Sequence, residues 1–144
     1  MAVDGVEVLV EEITQTDLDT IVDGLGSSNV RRADLRSEWA WEELAVLARR
    51  RGELVGGAVG RTGWAWLYVG RLWVTEDLRG MGLGTQLMTA IESAARDRGC
   101  VGAWLDTFSF QGRPFYEAAG YRQFGELADF PPGHSRHFLA KRLR

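Results

Sequence analysis

Apolar positions change their spacing along this chain, and the changes divide it into elements. Residues Val6 to Val10 alternate weakly and predict a first strand. The stretch "TQTDLDTIVDGL" then follows a helical period, with Thr16 as its cap and Leu18, Ile21, Val22 and Leu25 on one face. From Gly26 to Glu38 no period is readable, and such a segment is where specificity loops reside. From Glu42 the period becomes two: "ELAVLARR" and "LVGGAVGR" predict a hairpin turning near Gly52, and Trp64 to Val74 a third strand. Together these runs predict an antiparallel meander. Gly70, inside the third run, marks a bulge or a close backbone approach.

The clearest helix follows, with Leu87, Met88, Ile91, Ala94 and Ala95 on one face, Gln86, Glu92, Arg96 and Asp97 elsewhere, and Gly99 as its stop. "CVGAWLDTF" predicts a strand, "PFYEAAG" a short helix opened by Pro114 and closed by Gly120, and "YRQFGEL" and "RHFLAKRL" two more strands. The order is mixed α/β, of the α+β kind. No repeat or linker divides the 144 residues, which suit a single domain, 1–144.

Composition narrows the function. A net charge of -3 supplies no basic field for nucleic acid, although all but one of the 17 cations are Arg, Lys141 being the exception. No run of about 18 apolar residues points to a membrane, and the N-terminus has no basic leader, so the expected location is cytoplasmic. One cysteine, Cys100, and two histidines argue against a disulfide and against a structural metal. His134 and His137 in "PPGHSRHF" have a spacing that suits a helical ligand pair, but Pro131, Pro132 and Gly133 make the segment a loop, leaving His134 at most an acceptor-pocket residue.

The candidate chemistry sits in "LWVTEDLRGMGLGTQLM". Glycines at 80, 82 and 84 permit positive φ, so that main-chain N–H groups converge on an anion in front of a helix N-terminus. A Walker loop would require Gly-Lys-Ser/Thr, and a dinucleotide fingerprint would require glycine where Thr85 stands. "RGMGLG" does satisfy Q/R-x-x-G-x-G/A with Arg79, Gly82 and Gly84, and so resembles the acetyl-CoA motif of the GNAT superfamily of N-acetyltransferases. "FYEAAGY" resembles the short helix that carries that family's usual tyrosine. The likeness spans roughly Glu42 to Leu143 and extends to small, single-domain bacterial members.

The resemblance implies a mostly antiparallel central sheet flanked by helices, whose parallel central strands splay apart. It implies that Trp73 and Val74 pair with the pantetheine arm, and that the N–H groups of Arg79, Gly80, Met81, Gly82, Leu83, Gly84 and Thr85 hold the pyrophosphate. Ser109 stands where many members have an Asn that contacts the cofactor. Acetyl-CoA is the implied donor, with no metal, and the acceptor is a primary amine on a small molecule, peptide or protein. A homodimer through an edge strand is compatible with the family.

Transfer to an amine requires a neutral nucleophile, and freeing a Lys-like amine at pH 7 costs roughly 4.6 kcal/mol. The resemblance assigns the leaving-group side to Tyr116: proton transfer from a phenol to a thiolate is uphill by only about 2 kcal/mol. The base is open among Tyr68, on the same strand parity as Val74, Asp106 and Glu76; the central strand has no carboxylate of its own. Direct transfer in a ternary complex is expected, since no motif places Cys100 as an acyl carrier. Of the six tryptophans, Trp64, Trp66, Trp73 and Trp104 suit core packing, whereas Trp39 and Trp41 suit either a core anchor or an acceptor pocket. A non-catalytic acyl-CoA-binding module is the alternative, with Ser109 its one hint.

Overall fold

The computed structural model describes residues 4–33 and 40–144. They fall into two compact units, Met1–Arg36 and Ser37–Arg144. In the first unit, helix α1 covers Gln15–Ala33. Its cap is Thr14 rather than Thr16: the Thr14 hydroxyl accepts from the Asp17 N–H at 3.1 Å and donates to the Asp17 carboxylate at 2.8 Å. This reciprocal pair satisfies an orphan donor that Thr16, one residue inside the helix, cannot reach. Residues 6–10 form no strand, and Val8 and Val10 are exposed, because an alternating run without a ladder partner has nowhere to bond its backbone.

The second unit is a six-stranded sheet in the order β1-β2-β3-β4-β6-β5. Its strands are β1 (Glu42–Arg50), β2 (Glu53–Gly63), β3 (Trp66–Val74), β4 (Gly102–Phe108), β5 (Arg122–Ala128) and β6 (Ser135–Arg142). Helix α2 (Leu83–Asp97) and helix α3 (Arg113–Ala118) supply the connections. All neighbours are antiparallel except β3 and β4. That parallel pair is joined only at Trp66–Gly102, Leu67–Ala103 and Tyr68–Trp104, beyond which the two strands part.

Both hairpins of the meander use two-residue turns with positive φ at each position: Arg51 and Gly52 in the first, Trp64 and Ala65 in the second. The first turn was legible from its glycine. The second carries no turn-forming residue, so Trp64 reads as strand although it forms the turn.

Gly70 is a bulge: Val59 pairs with Arg71 and Gly60 with Val69, which leaves Gly70 between them without a partner. The facing Gly60 is required there, since a Cβ on it would lie 2.0 Å from the Tyr68 carbonyl oxygen. One extra residue inverts the side-chain alternation. Leu67 and Val69 below the bulge, and Leu72 and Val74 above it, therefore all join the core. Tyr68 consequently lies on the face opposite Val74, contrary to a simple parity count.

The core lies between the sheet and α2, where Leu87, Met88, Ile91 and Ala95 meet Ala58, Leu67, Ala103, Leu105 and Leu139. Burying each large aliphatic side chain contributes about 1.5–3 kcal/mol. Gly99 ends the helix at φ 85°, as its sequence position predicts, and the Cys100 N–H returns to the Ala95 carbonyl at 3.0 Å. Glu92, expected away from the apolar face, is buried. It accepts from the Tyr121 hydroxyl and the Lys141 ammonium, each at 2.8 Å, which makes its burial tolerable.

Candidate functional site

Two local features flank the gap between β3 and β4. The Gly70 bulge bends β3, and β4 ends in a turn closed by Gln111, whose side-chain oxygen accepts from the Phe108 N–H at 3.0 Å and the Thr107 hydroxyl at 3.3 Å. The Gln111 amide thus satisfies a backbone donor at the strand's end. Nothing in the sequence signals this role, because it depends on a turn that only the folded chain forms.

Two cavities flank the parted strands. One, of about 400 Å³, is lined by Trp73, Val74, Arg79, Gly80, Gly82, Gly84 and Thr85, with Leu72, Leu78 and Phe115 completing its wall. The other, of about 500 Å³, has Tyr116, Asp106, Thr107, Gln111 and Gly112 on one side and Gly70 and Arg71 on the other. They share Leu72, Trp73 and Phe115, so the glycine loop and Tyr116 open on neighbouring parts of one cleft.

The three loop glycines serve two purposes. Gly80 and Gly82 have φ of 75° and 85°, a region that other residues enter at a cost of about 1–2 kcal/mol, and Gly82 caps α2. Gly84 lies inside the helix with ordinary φ, correcting the expectation of a third left-handed residue. A Cβ on it would come within 3.3 Å of the Phe115 ring, so its smallness lets α3 approach. Alternate spacing in the sequence does not separate these causes. Arg79 donates through Nε to the Val74 carbonyl at 3.2 Å, tying the loop to the end of β3.

Not every predicted contact residue lines the cleft. Met81 is exposed, and Leu83 packs against the core. Ser109 exchanges bonds with Ser135, its amide donating at 2.8 Å and its hydroxyl accepting at 3.1 Å, and so fastens β4 to β6.

Tyr116 stands on α3, packed edge-to-face on Phe115 and on Tyr121 at centroid distances of 5.1 and 6.2 Å. Burial, and then the charge of Asp106, push its phenol above the usual tyrosine range. Asp106 is itself held from two sides. Tyr68 donates to Oδ1 at 3.0 Å, and Arg136 donates to Oδ2 through Nε at 2.7 Å, its Nη2 lying in ion-pair contact with the same oxygen at 2.7 Å. Both oxygens of the Asp106 carboxylate are thus engaged. Burial, and then the bond to Asp106, likewise push the Tyr68 phenol up. Glu76 lies in an exposed 3-10 turn and does not line the cleft.

The remaining candidates lie elsewhere. Trp41 is half-exposed under the Arg61 guanidinium, 5.0 Å from its ring, and Trp39 lies outside the described residues. His134 packs against Phe110 with ring centroids 5.0 Å apart. His137 is buried on β6, its Nε2 2.9 Å from the Ser135 hydroxyl. Among the described residues no group of three His, Cys, Asp or Glu could hold a metal, and no helix is long and apolar enough to cross a membrane.

Comparison with known proteins adds a family. Residues 12–121 match the acetyltransferase (GNAT) family, a span that begins well before Glu42. Blasticidin-S acetyltransferase of Streptomyces morookaense is 46% identical over 94 residues, 65% of this chain and 69% of that relative. An acetyltransferase of Agrobacterium fabrum is 40% identical over 90 residues, 62% of this chain and 66% of that protein's length. The crystal structure of an acetyltransferase from Bacillus cereus superposes with a TM-score of 0.83 at 35% identity, covering 94% of this chain and 97% of the other.

Proposed function

Because this chain belongs to the GNAT family of N-acetyltransferases, we propose that it moves the acetyl group of acetyl-CoA directly to the primary amine of a small molecule. The observation that carries this reading is the sharing of Leu72, Trp73 and Phe115 by the two cavities, one bounded by the glycine loop and the other by Tyr116.

In this reading the loop N–H groups between Arg79 and Thr85, with the N-terminus of α2 behind them, bind the donor's pyrophosphate. Met81 and Leu83 act there only through their backbone. Trp73 and Val74 line the path of the pantetheine arm along the edge of β3 that β4 has left. Tyr116 keeps its proton at neutral pH and gives it to the departing thiolate. The amine enters from the Asp106 and Arg71 side of the gap. Its proton leaves through water, since Arg136 and Tyr68 already occupy much of the Asp106 carboxylate. Ser109 serves the fold more than the donor. The preference for a small-molecule acceptor draws on the likeness to blasticidin-S acetyltransferase.

The test needs purified protein, acetyl-CoA and a panel of primary amines that includes blasticidin S and an N-terminal peptide. Acetyl-CoA at a hundred times its Kd should stabilise the fold by about 2.7 kcal/mol. Thiol should then be released with a small-molecule amine and not with the peptide. Stabilisation without thiol release from any amine would leave only donor binding, and release with the peptide alone would reverse the acceptor class.

A further inference from the structure

The one lysine of the chain is half-buried in a place the transfer reaction does not use. Lys141, on β6, donates through Nζ to the Glu92 carboxylate at 2.8 Å and to the Ala119 carbonyl at 2.9 Å. Glu92, on α2, also accepts from the Tyr121 hydroxyl at 2.8 Å. Glu92 and Tyr121 are only 4% and 2% exposed.

What this cluster holds is the end of α3. That helix has six residues, too few to be stable by its own hydrogen bonds, so its position is set from outside. Its last carbonyls lack intrahelical partners, and a cation there both satisfies one and opposes the helix dipole. The Tyr116 carbonyl lies in the same turn: it accepts from the Ala119 N–H at 3.1 Å and from the Tyr121 N–H at 3.0 Å. The Tyr121 ring is in turn an edge-to-face neighbour of the Tyr116 ring.

From this juxtaposition we infer that Lys141, held by Glu92, is a positioning residue that fixes the C-terminal turn of α3 and thereby the place of the Tyr116 ring in the cleft. This rests on the assignment of Tyr116 as proton donor. A compact ammonium suits the task better than a guanidinium fork. A Cβ on Gly120 would lie in ordinary contact, 3.4 Å from Lys141 Cε, so the lysine stem runs directly past the end of α3. An ion pair with one partner buried adds little net stability over an apolar pair of similar volume, which makes geometry the better reason for it.

The test is the paired variant Glu92→Gln with Lys141→Met, which removes both charges together and leaves neither stranded. Amide exchange at Ala119 and Tyr121 should accelerate about tenfold, while amides from Leu87 to Ala95 keep their protection. With an amine the wild type uses, kcat should fall about tenfold at unchanged KM for acetyl-CoA, and the fall should vanish in a Tyr116→Phe background. Leu44→Ala, a core change on β1, serves as control: it should lower stability and leave kcat alone below its own Tm. Wild-type exchange at Ala119 and Tyr121, or an equal loss of kcat in the Tyr116→Phe background, would overturn the inference. If Tyr116→Phe alone keeps full kcat, the proton-donor reading fails and the inference falls with it. Should the paired variant not fold, Glu92→Gln alone is read by the same criteria.

Discussion

Tyr116 has the ring of a core residue and the hydroxyl of an acid, and the two can be separated. Tyr116→Phe keeps the packing on Phe115 and Tyr121 and removes the proton. It should lower kcat about 100-fold and leave the KM for acetyl-CoA and the Tm nearly unchanged. The phenol is held above its ordinary value of 10.0 by burial and then by Asp106, so it remains protonated below that pH and loses its proton only as pH rises through the raised value. Asp106→Asn removes the second cause. NMR titration of ring-labelled tyrosine should then show Tyr116 ionising at lower pH than in the wild type; an unmoved curve would refute the coupling. At the loop, Gly82→Ala forces an L residue to φ 85°, at about 1–2 kcal/mol. It should raise the KM for acetyl-CoA and lower Tm by a few degrees. Gly84→Ala keeps its dihedral angles and presses on Phe115, so its effect should reach kcat through α3.

At the level of elements, the Gly70 bulge has the widest consequences. It turns Leu72 and Val74 into the core, aims Trp73 at the cleft, and lies just past Tyr68, the last β3 residue paired with β4. Gly60→Ala would drive a Cβ to 2.0 Å from the Tyr68 carbonyl oxygen, so the ladder opposite the bulge must move. A stability loss of about 3 kcal/mol is expected from chemical denaturation, with weaker acetyl-CoA binding because the gap changes shape. An unchanged denaturation midpoint would mean that the close approach is not maintained in solution. The sequence left Gly70 as either a bulge or a close backbone approach and put Tyr68 on the wrong face, because a bulge is a local signal whereas parity must be counted across it. The same limit hid the Trp64–Ala65 turn, where the flanking strands impose positive φ on residues that do not favour it. Thr14 is a different case: its capping partner Asp17 was visible at the right spacing, and Thr16 competed as an equally good residue type.

Over the whole molecule, several groups resist ionisation in the same direction. Burial heads the causes that raise Cys100 above 9.0 and Tyr68, Tyr116 and Tyr121 above 10.0. A group whose pKa is raised on folding contributes stability that is complete below its unfolded value and is lost as pH climbs through its folded value. These four groups therefore leave stability level from neutrality to about pH 9 and withdraw it above pH 9–10. Thermal melts across that range should show Tm falling on the alkaline side, less steeply in Tyr121→Phe. A Tm independent of pH up to 11 would contradict the burial of these phenols.

What the sequence determined by itself is local and periodic. The meander, the α2 face from Leu87 to Ala95, its stop at Gly99, and the left-handed backbone of Gly80 and Gly82 follow from spacing and from backbone freedom, and neighbours along the chain set both. What tertiary structure alone decided is convergence. Glu92 reads as a surface residue until Tyr121 and Lys141 meet it, Asp106 as a strand end until Tyr68 and Arg136 close on it, and Gln111 as a loop residue until β4 needs its amide. Each depends on partners far off in sequence, and a buried polar group discloses its role only through the partner that makes its burial affordable.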